Sequence, residues 1–287
     1  MIMHVAEAGE QRGRVVLHIT SGHPNSVAIE AAVRIAQAFN SEIESLFVED
    51  LQLFDMASYP FAREISLNRA RQRPLSRDSL EREMRLCGQS LLRRVERLAR
   101  AAEVPLRTKV VRDDPVQALA KACAEDGPWN VVALADALAP GQGARLCDLF
   151  ATVAGTTGLM LVGPKARRTR GPIIAVVETP EHLQPLMRAG ERMARVLGGE
   201  VLVLLLSDSP SGDEWLDGQV RLALGDQSRV RLLHCQTDQG APAALAEVIR
   251  RLHGGFVIGH FGGLLVPADG DLRDLVAALE SPLFLMR

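Results

Sequence analysis

A chain of 287 residues with 47% hydrophobic and 24% charged residues has enough apolar side chains for two cores, and 4% aromatics makes those cores aliphatic. Up to Pro164 it carries 19 basic and 20 acidic residues, and beyond it 14 and 15, so each half stands one charge negative and lacks the basic balance that nucleic acid or an anionic membrane surface demands. Cys87, Cys123, Cys147 and Cys235 are scattered without a C-x-x-C pair, which excludes a disulfide framework or a zinc ribbon and fits reduced thiols in a cytoplasm.

In chain order, residues 1–13 read as a flexible tail without the basic and apolar regions of a secretory signal. Val15–Ile19 is an aliphatic run of buried-strand length. Ser21–Ser26 is turn chemistry, and Ala28, Ala31, Ile35 and Ala38 then recur at helical spacing. Ile43–Val48 is a second strand. Residues 50–77 break the pattern with Phe54, Met56, Tyr59 and Phe61, followed by Arg63, Arg69, Arg71, Arg73 and Arg77. They read as an inserted, solvated or lid-like loop that leaves room for one turn of helix. From Asp78 to about Ala102, Leu80, Met84, Cys87, Leu91, Val95 and Leu98 form one apolar helical stripe. Leu106–Val111 is a third strand, Asp113-Asp114-Pro115 starts a helix, and Trp129–Leu134 is a fourth strand. A short helix near 146–154 and a strand at Leu159–Val162 close the first half.

The order then repeats. Ile173–Val177 stands where Val15–Ile19 stood, at an offset of 158 residues, which signals two tandem domains. A helix over 181–197, a strand over 201–206, a shortened polar segment over 208–227 and a strand over 229–235 follow. A helix from Pro242 to Leu252, a strand over 256–259, a helix over 271–279 and a strand over 283–286 end the chain. Alternating strands and helices predict an α/β fold: two tandem doubly wound sheets, each of five parallel strands. The expected domains are 14–164 and 172–287, with 165–171 as linker.

This element order, the long helix before the third strand, and Val110-Val111-Arg112-Asp113-Asp114-Pro115-Val116-Gln117-Ala118-Leu119 resemble the universal stress protein family. Thr237–Leu245 repeats the motif more loosely. The resemblance implies strand order 3-2-1-4-5 in each half and dimer contact through the fifth strands, which two halves of one chain could supply to each other. Part of that family binds ATP with an Asp ending the first strand and a G-x-x-G-x9-G-[S/T] loop after the fourth. Glycines there let backbone amides approach phosphate.

Both halves depart from that pattern. In the first, Thr20 stands at the Asp position, Ser21 follows it, and Ala135-Asp136-Ala137-Leu138 replaces the first glycines. In the second, Glu178 stands at the Asp position and Gly259-His260-Phe261-Gly262-Gly263 keeps the first G-x-x-G. The spacing to Gly270-Asp271 is then seven residues, and Asp271, in place of Ser or Thr, caps a helix and opposes phosphate at the same amides. The crevice residues to watch are therefore Glu178, Gly259, His260, Gly262, Gly263, Gly270 and Asp271, with Thr20, Ser21, Ala135 and Asp136 as the degenerate counterpart.

His18 reads as a strand residue, and His23, His182 and His260 lie near the crevice loops without carboxylates or cysteines at metal-ligand spacing. Ser21 and Ser207 follow strands but sit in no G-x-S-x-G elbow, and no P-loop or H-E-x-x-H is present. The expectation is a non-enzymatic cytoplasmic stress-response regulator or scaffold without cofactor or metal, with its two halves paired and a homodimer possible. The alternative is an adenine-nucleotide module, holding ATP or AMP in the second half, with slow hydrolysis at most.

Overall fold

The computed structural model describes residues 13–19, 26–65, 72–125, 130–134, 156–225, 230–236, 242–267 and 272–287. Residues 1–12 of the expected tail, Trp129, the helix near 146–154 and Cys147 fall outside them.

The first half contains β1 (Arg14–Ile19), α1 (Ser26–Ala38), β2 (Glu42–Asp50), α2 (Leu51–Ala57), β3 (Arg63–Ile65), β4 (Gln72–Pro74), α3 (Arg77–Ala101), β5 (Leu106–Asp113), α4 (Pro115–Glu125), β6 (Asn130–Leu134) and β7 (Thr156–Leu161). The second contains β8 (Ile173–Val177), α5 (Pro180–Leu197), β9 (Val201–Ser207), α6 (Pro210–Leu224), β10 (Arg231–Gln236), α7 (Pro242–Arg251), β11 (Phe256–His260), α8 (Leu272–Ala278) and β12 (Leu283–Met286). The strands run β5-β2-β1-β6-β7 in one half and β10-β9-β8-β11-β12 in the other, which is order 3-2-1-4-5 twice. Within each half the pairing is parallel.

The two five-stranded sheets do not stand apart. β7 and β12 pair antiparallel, Leu161 opposite Leu283 and Gly158 opposite Met286, and make one ten-stranded sheet. A Cβ on Gly158 would lie 2.5 Å from the Phe284 ring, so this glycine makes room for the ring at the seam. Phe284 also meets Phe39, at the end of α1, with centroids 6.0 Å apart. α1 packs on α5 across the same seam.

The segment expected as a linker is part of the packing. Arg167 and Arg168 donate backbone N–H bonds to the Glu280 carbonyl, and Thr169 donates its hydroxyl to Glu30 of α1 at 2.8 Å. A Cβ on Gly163 would lie 1.9 Å from the Val276 carbonyl oxygen.

β1 and β8 are buried on both faces because helices cover both. One apolar layer joins Val15, Leu17, Ile173 and Ala175 to α1, α3, α5 and α6. The other joins Val16, Ile174 and Val176 to α4, α7 and α8. In α5, Leu183, Leu186, Met187 and Met193 recur on one face, and burying each contributes about 1.5–3 kcal/mol.

Two expectations need correction. Residues 208–227 are not a shortened polar segment: Pro210–Leu224 is a helix whose Leu216, Val220 and Leu224, four residues apart, are buried. Ser209 caps it by accepting the Gly212 N–H. The polar residues are its solvent face, and the apolar stripe is too thin to stand out in the sequence.

The insertion is more regular than a loop with one turn of helix. It forms α2 and the β3–β4 hairpin, and Phe54 is buried with the Arg112 guanidinium 4.0 Å over its ring. Arg112, on the edge strand β5, donates in turn to Glu49 of β2 and Glu81 of α3, and Arg73 of β4 bonds Glu64 of β3 and Glu83, which ties β3 and β4 to α3. Tyr59 and Phe61 stack on each other in the open.

Candidate functional site

In each half the chain winds one way from the first strand and the other way from the fourth, so a crevice opens at their carboxyl ends. In the second half those ends are Val177 of β8 and His260 of β11. β8 stops at Glu178 because Thr179 and Pro180 start α5, with Pro180 in the first turn where its missing N–H costs no bond. β11 stops in a turn: Phe261 N–H donates to the Met286 carbonyl at 3.0 Å and Gly262 N–H to the Val266 carbonyl at 2.9 Å.

The turn aims two backbone amides at one carboxylate. Leu264 N–H donates to Glu178 Oε2 at 2.5 Å and Leu265 N–H to Oε1 at 2.7 Å. The amides of Leu264 and Leu265 therefore hold a carboxylate of the chain itself. Each glycine has a separate reason. Gly262 has φ +90°, a conformation that a side chain disfavours. A Cβ on Gly263 would lie 1.7 Å from Glu178 Oε2, so its absence lets the carboxylate in. A Cβ on Gly259 would lie 2.5 Å from Leu265 Cδ2, so that glycine seats the loop on β11.

Burial pushes the Glu178 carboxyl above the usual carboxylate range, and the two amide bonds offset this only in part. His182 of α5 and His260 at the end of β11 lie face to face, with centroids 3.7 Å apart and planes within 10°. Thr179 Oγ1 is 3.1 Å from His182 Nδ1. Burial, and then the neighbouring His182, hold His260 below the ordinary imidazole range. Residues 256–267 contain no Lys or Arg to neutralise a polyphosphate.

Of the crevice residues singled out in the sequence, the structure brings together Glu178, Gly259, His260, Gly262 and Gly263. Gly270, Asp271, Thr20, Ser21, Ala135 and Asp136 lie outside the described residues. Ser207 is buried at the end of β9. Among the described residues no group of three His, Cys, Asp or Glu side chains could hold a metal ion, and no helix is long and apolar enough to cross a membrane.

Two features escape a reading of residue types. The anion-binding atoms are backbone amides of Leu264 and Leu265, which side-chain identity does not reveal. The pairing of His182 with His260 joins residues 78 positions apart. A third feature, Arg14 inside β1, did carry a signal: a charge in an aliphatic strand needs a buried partner. It donates to Glu44 of β2 at 2.5 Å, to Asn130 of β6 at 3.1 Å and to the Ala122 carbonyl.

No family description matches the sequence, and no curated protein does. Solved structures do match. A universal stress protein from Archaeoglobus fulgidus is 16% identical with a TM-score of 0.58, covering 95% of this chain and 96% of its own. A Pseudomonas aeruginosa protein assigned to the same group is 15% identical with a TM-score of 0.57, covering 96% and 94%. The cytoplasmic domain of a prokaryotic cation chloride cotransporter is 7% identical with a TM-score of 0.54, covering 96% and 95%. At these identities the likeness is one of fold. The chain has the universal-stress-protein fold, with two five-stranded α/β units in one polypeptide.

Proposed function

We propose that this is a tandem universal-stress-type protein of the stress response, acting in the cytoplasm as a regulator or scaffold through contact with a partner and without catalysis. Its second-half crevice is closed to adenine nucleotide at neutral pH. One observation carries this reading: Glu178 occupies the amides of Leu264 and Leu265 in the loop that the resemblance assigns to phosphate. A triphosphate entering there meets a carboxylate where a nucleotide-binding loop offers free N–H groups, and meets no Lys or Arg over 256–267. Like charges a few ångströms apart in a partly dry site repel by several kcal/mol, enough to cancel ordinary nucleotide affinity.

The reading extends to assembly. With residues 14–164 and 172–287 as the two domains, the fifth strands of the halves serve each other, and a homodimer needs a different surface. Isothermal titration at neutral pH with ATP and magnesium, and separately with AMP, tests the nucleotide claim. No binding at micromolar ligand is expected, and neither ligand should raise the melting temperature. Micromolar affinity for either overturns it.

A further inference from the structure

The ten-stranded sheet ends in two edge strands, β5 and β10. β5 runs for eight residues with an unbroken register and no proline. The Ile43 N–H bonds the Pro105 carbonyl, so alternate residues from 105 to 113 turn their backbone groups to β2. Those of Leu106, Thr108, Val110 and Arg112 turn outward, and no strand pairs with them among the described residues. An open edge of this kind is a template for another strand.

Apolar exposure meets the same edge. Val110 is 55% exposed and Leu86 of α3 is 62% exposed. They lie at one level: Val110 pairs with Phe47, and a Cβ on Gly88, two residues from Leu86, would lie 2.9 Å from the Phe47 ring. Leu86 shares a helix face with Gln89, Arg93, Glu96 and Arg100. Those four, with Leu106 and Thr108 of β5, line a groove of about 620 Å³. α3 and β5 run in opposite directions, since Arg112 late in β5 bonds Glu81 early in α3. The groove therefore opens beside the start of β5.

Charge selects one register for two β5 strands laid antiparallel. Centred on Thr108, Arg107 would face Lys109, and centred on Lys109 that lysine would face itself. Centred on Val111, Val110 would face Arg112. Centred on Val110, the two valines meet as a hydrogen-bonded pair, and Arg107 faces Asp113 twice, at the pairs where side chains come closest. Arg107 also reaches Glu42 at 3.2 Å and Asp113 reaches Lys121 at 2.5 Å, so the cross pairs would join two existing ones. Lys109, a residue type that discourages edge pairing, is turned to Glu125 at 2.7 Å. The same two-fold sets each groove, with Arg93, against the start of the other α3, which carries Asp78 and Glu81. β10 has no acid to answer its Arg231 and His234 in this way.

We propose that the β5 edge and its groove are a docking surface for a second copy of this chain, with the two β5 strands antiparallel about Val110 so that two sheets continue as one. The inference goes beyond the function proposed above by naming the surface that a homodimer would use once the fifth strands serve each other. ATP binding at neutral pH would end the nucleotide reading alone, and a chain that stays monomeric ends this inference alone.

Sedimentation equilibrium of the full chain at micromolar concentration should show a dimer. Val110→Lys, at a position exposed in the single chain, should weaken it at least about tenfold. Arg107→Asp and Asp113→Arg should each weaken it by at least about tenfold, because two attractions become two repulsions. Mixing these two variants in equal amounts should restore the dimer, because each then answers the other's charge. A wild type that stays monomeric, a dimer untouched by Val110→Lys (as one through β10 and the exposed Trp215 of α6 would be), or no recovery on mixing would overturn the proposal. If Asp113→Arg fails to fold, the wild type, Val110→Lys and Arg107→Asp still decide it.

Discussion

The two halves close the amino-terminal edge of the same sheet in opposite ways. In the first half, a buried Arg14 joins Glu44 and the Asn130 side chain, and Asn130 donates to the Cys123 carbonyl at 2.9 Å. In the second, the positions equivalent to Arg14 and Glu44 are Pro172 and Leu202, and the gap is closed by backbone. Gly255 donates its N–H to the Pro172 carbonyl at 2.8 Å. A Cβ on Gly255 would lie 2.7 Å from the Arg170 carbonyl carbon, and one on Gly199 would lie 2.7 Å from the Gly171 carbonyl oxygen. One fold thus tolerates a charged plug or close-packed glycines at one place. What it requires is a filled space and satisfied polar groups.

The largest effect should come from breaking the charged plug on one side. Glu44→Ala leaves Arg14 buried without its carboxylate and should cost about 3–5 kcal/mol in chemical denaturation. Replacing both partners, Arg14→Met with Glu44→Leu, imitates the second half and should recover most of that loss. If the double variant is as unstable as the single one, the halves are not interchangeable at this site.

A second contrast lies four residues further along the strand, where His18 of β1 is buried at the position of Val176 in β8. Burial lowers the His18 pKa to about 4, and its Nε2 has no hydrogen-bond partner among the described residues. The folded state therefore binds the proton less readily than the unfolded chain. Stability is fully present above the ordinary imidazole pKa and is lost as the pH falls through about 4. The loss should reach about 3 kcal/mol there. His18→Val should remove that part of the acid slope. An unchanged slope in melting measurements between about pH 6.5 and pH 4 would reject this account.

The smallest contrast is in helix caps. α1 ends at Asn40 with φ +49°, and α5 ends at the equivalent Gly198 with φ +68°. The next residue in each closes the same bond, Ser41 N–H to Ala36 and Gly199 N–H to Ala194. Both are left-handed caps, which Gly enters freely and Asn at small cost. Gly198→Ala should lose about 1 kcal/mol, whereas Asn40→Gly should change stability by less than about 0.5 kcal/mol. Equal effects at the two caps would mean that they are not equivalent.

Much of this was legible in the chain. The Val15–Ile19 and Ile173–Val177 runs, their common offset and the Asp114-Pro115 start of α4 fixed element order and placed the crevice. α6 was missed because Leu216, Val220 and Leu224 are its whole buried stripe in a polar segment. The insertion was misread because Phe54 looks like any exposed loop aromatic until Arg112 covers it. Glu178 stood at a position the resemblance marks for a ligand contact, and nothing in its neighbours shows that its carboxylate turns back onto a loop 86 residues away.

The amino-acid order by itself determined the duplication, the alternation of strand and helix, and the erosion of the glycine loops, because these rest on local propensity and on periodic burial. Only the tertiary structure decided that the two sheets merge at β7 and β12, that Arg14 finds Glu44, and that Glu178 fills the amides of Leu264 and Leu265. Those are contacts between segments far apart in the chain, chosen by which surfaces and polar groups the fold leaves to be satisfied.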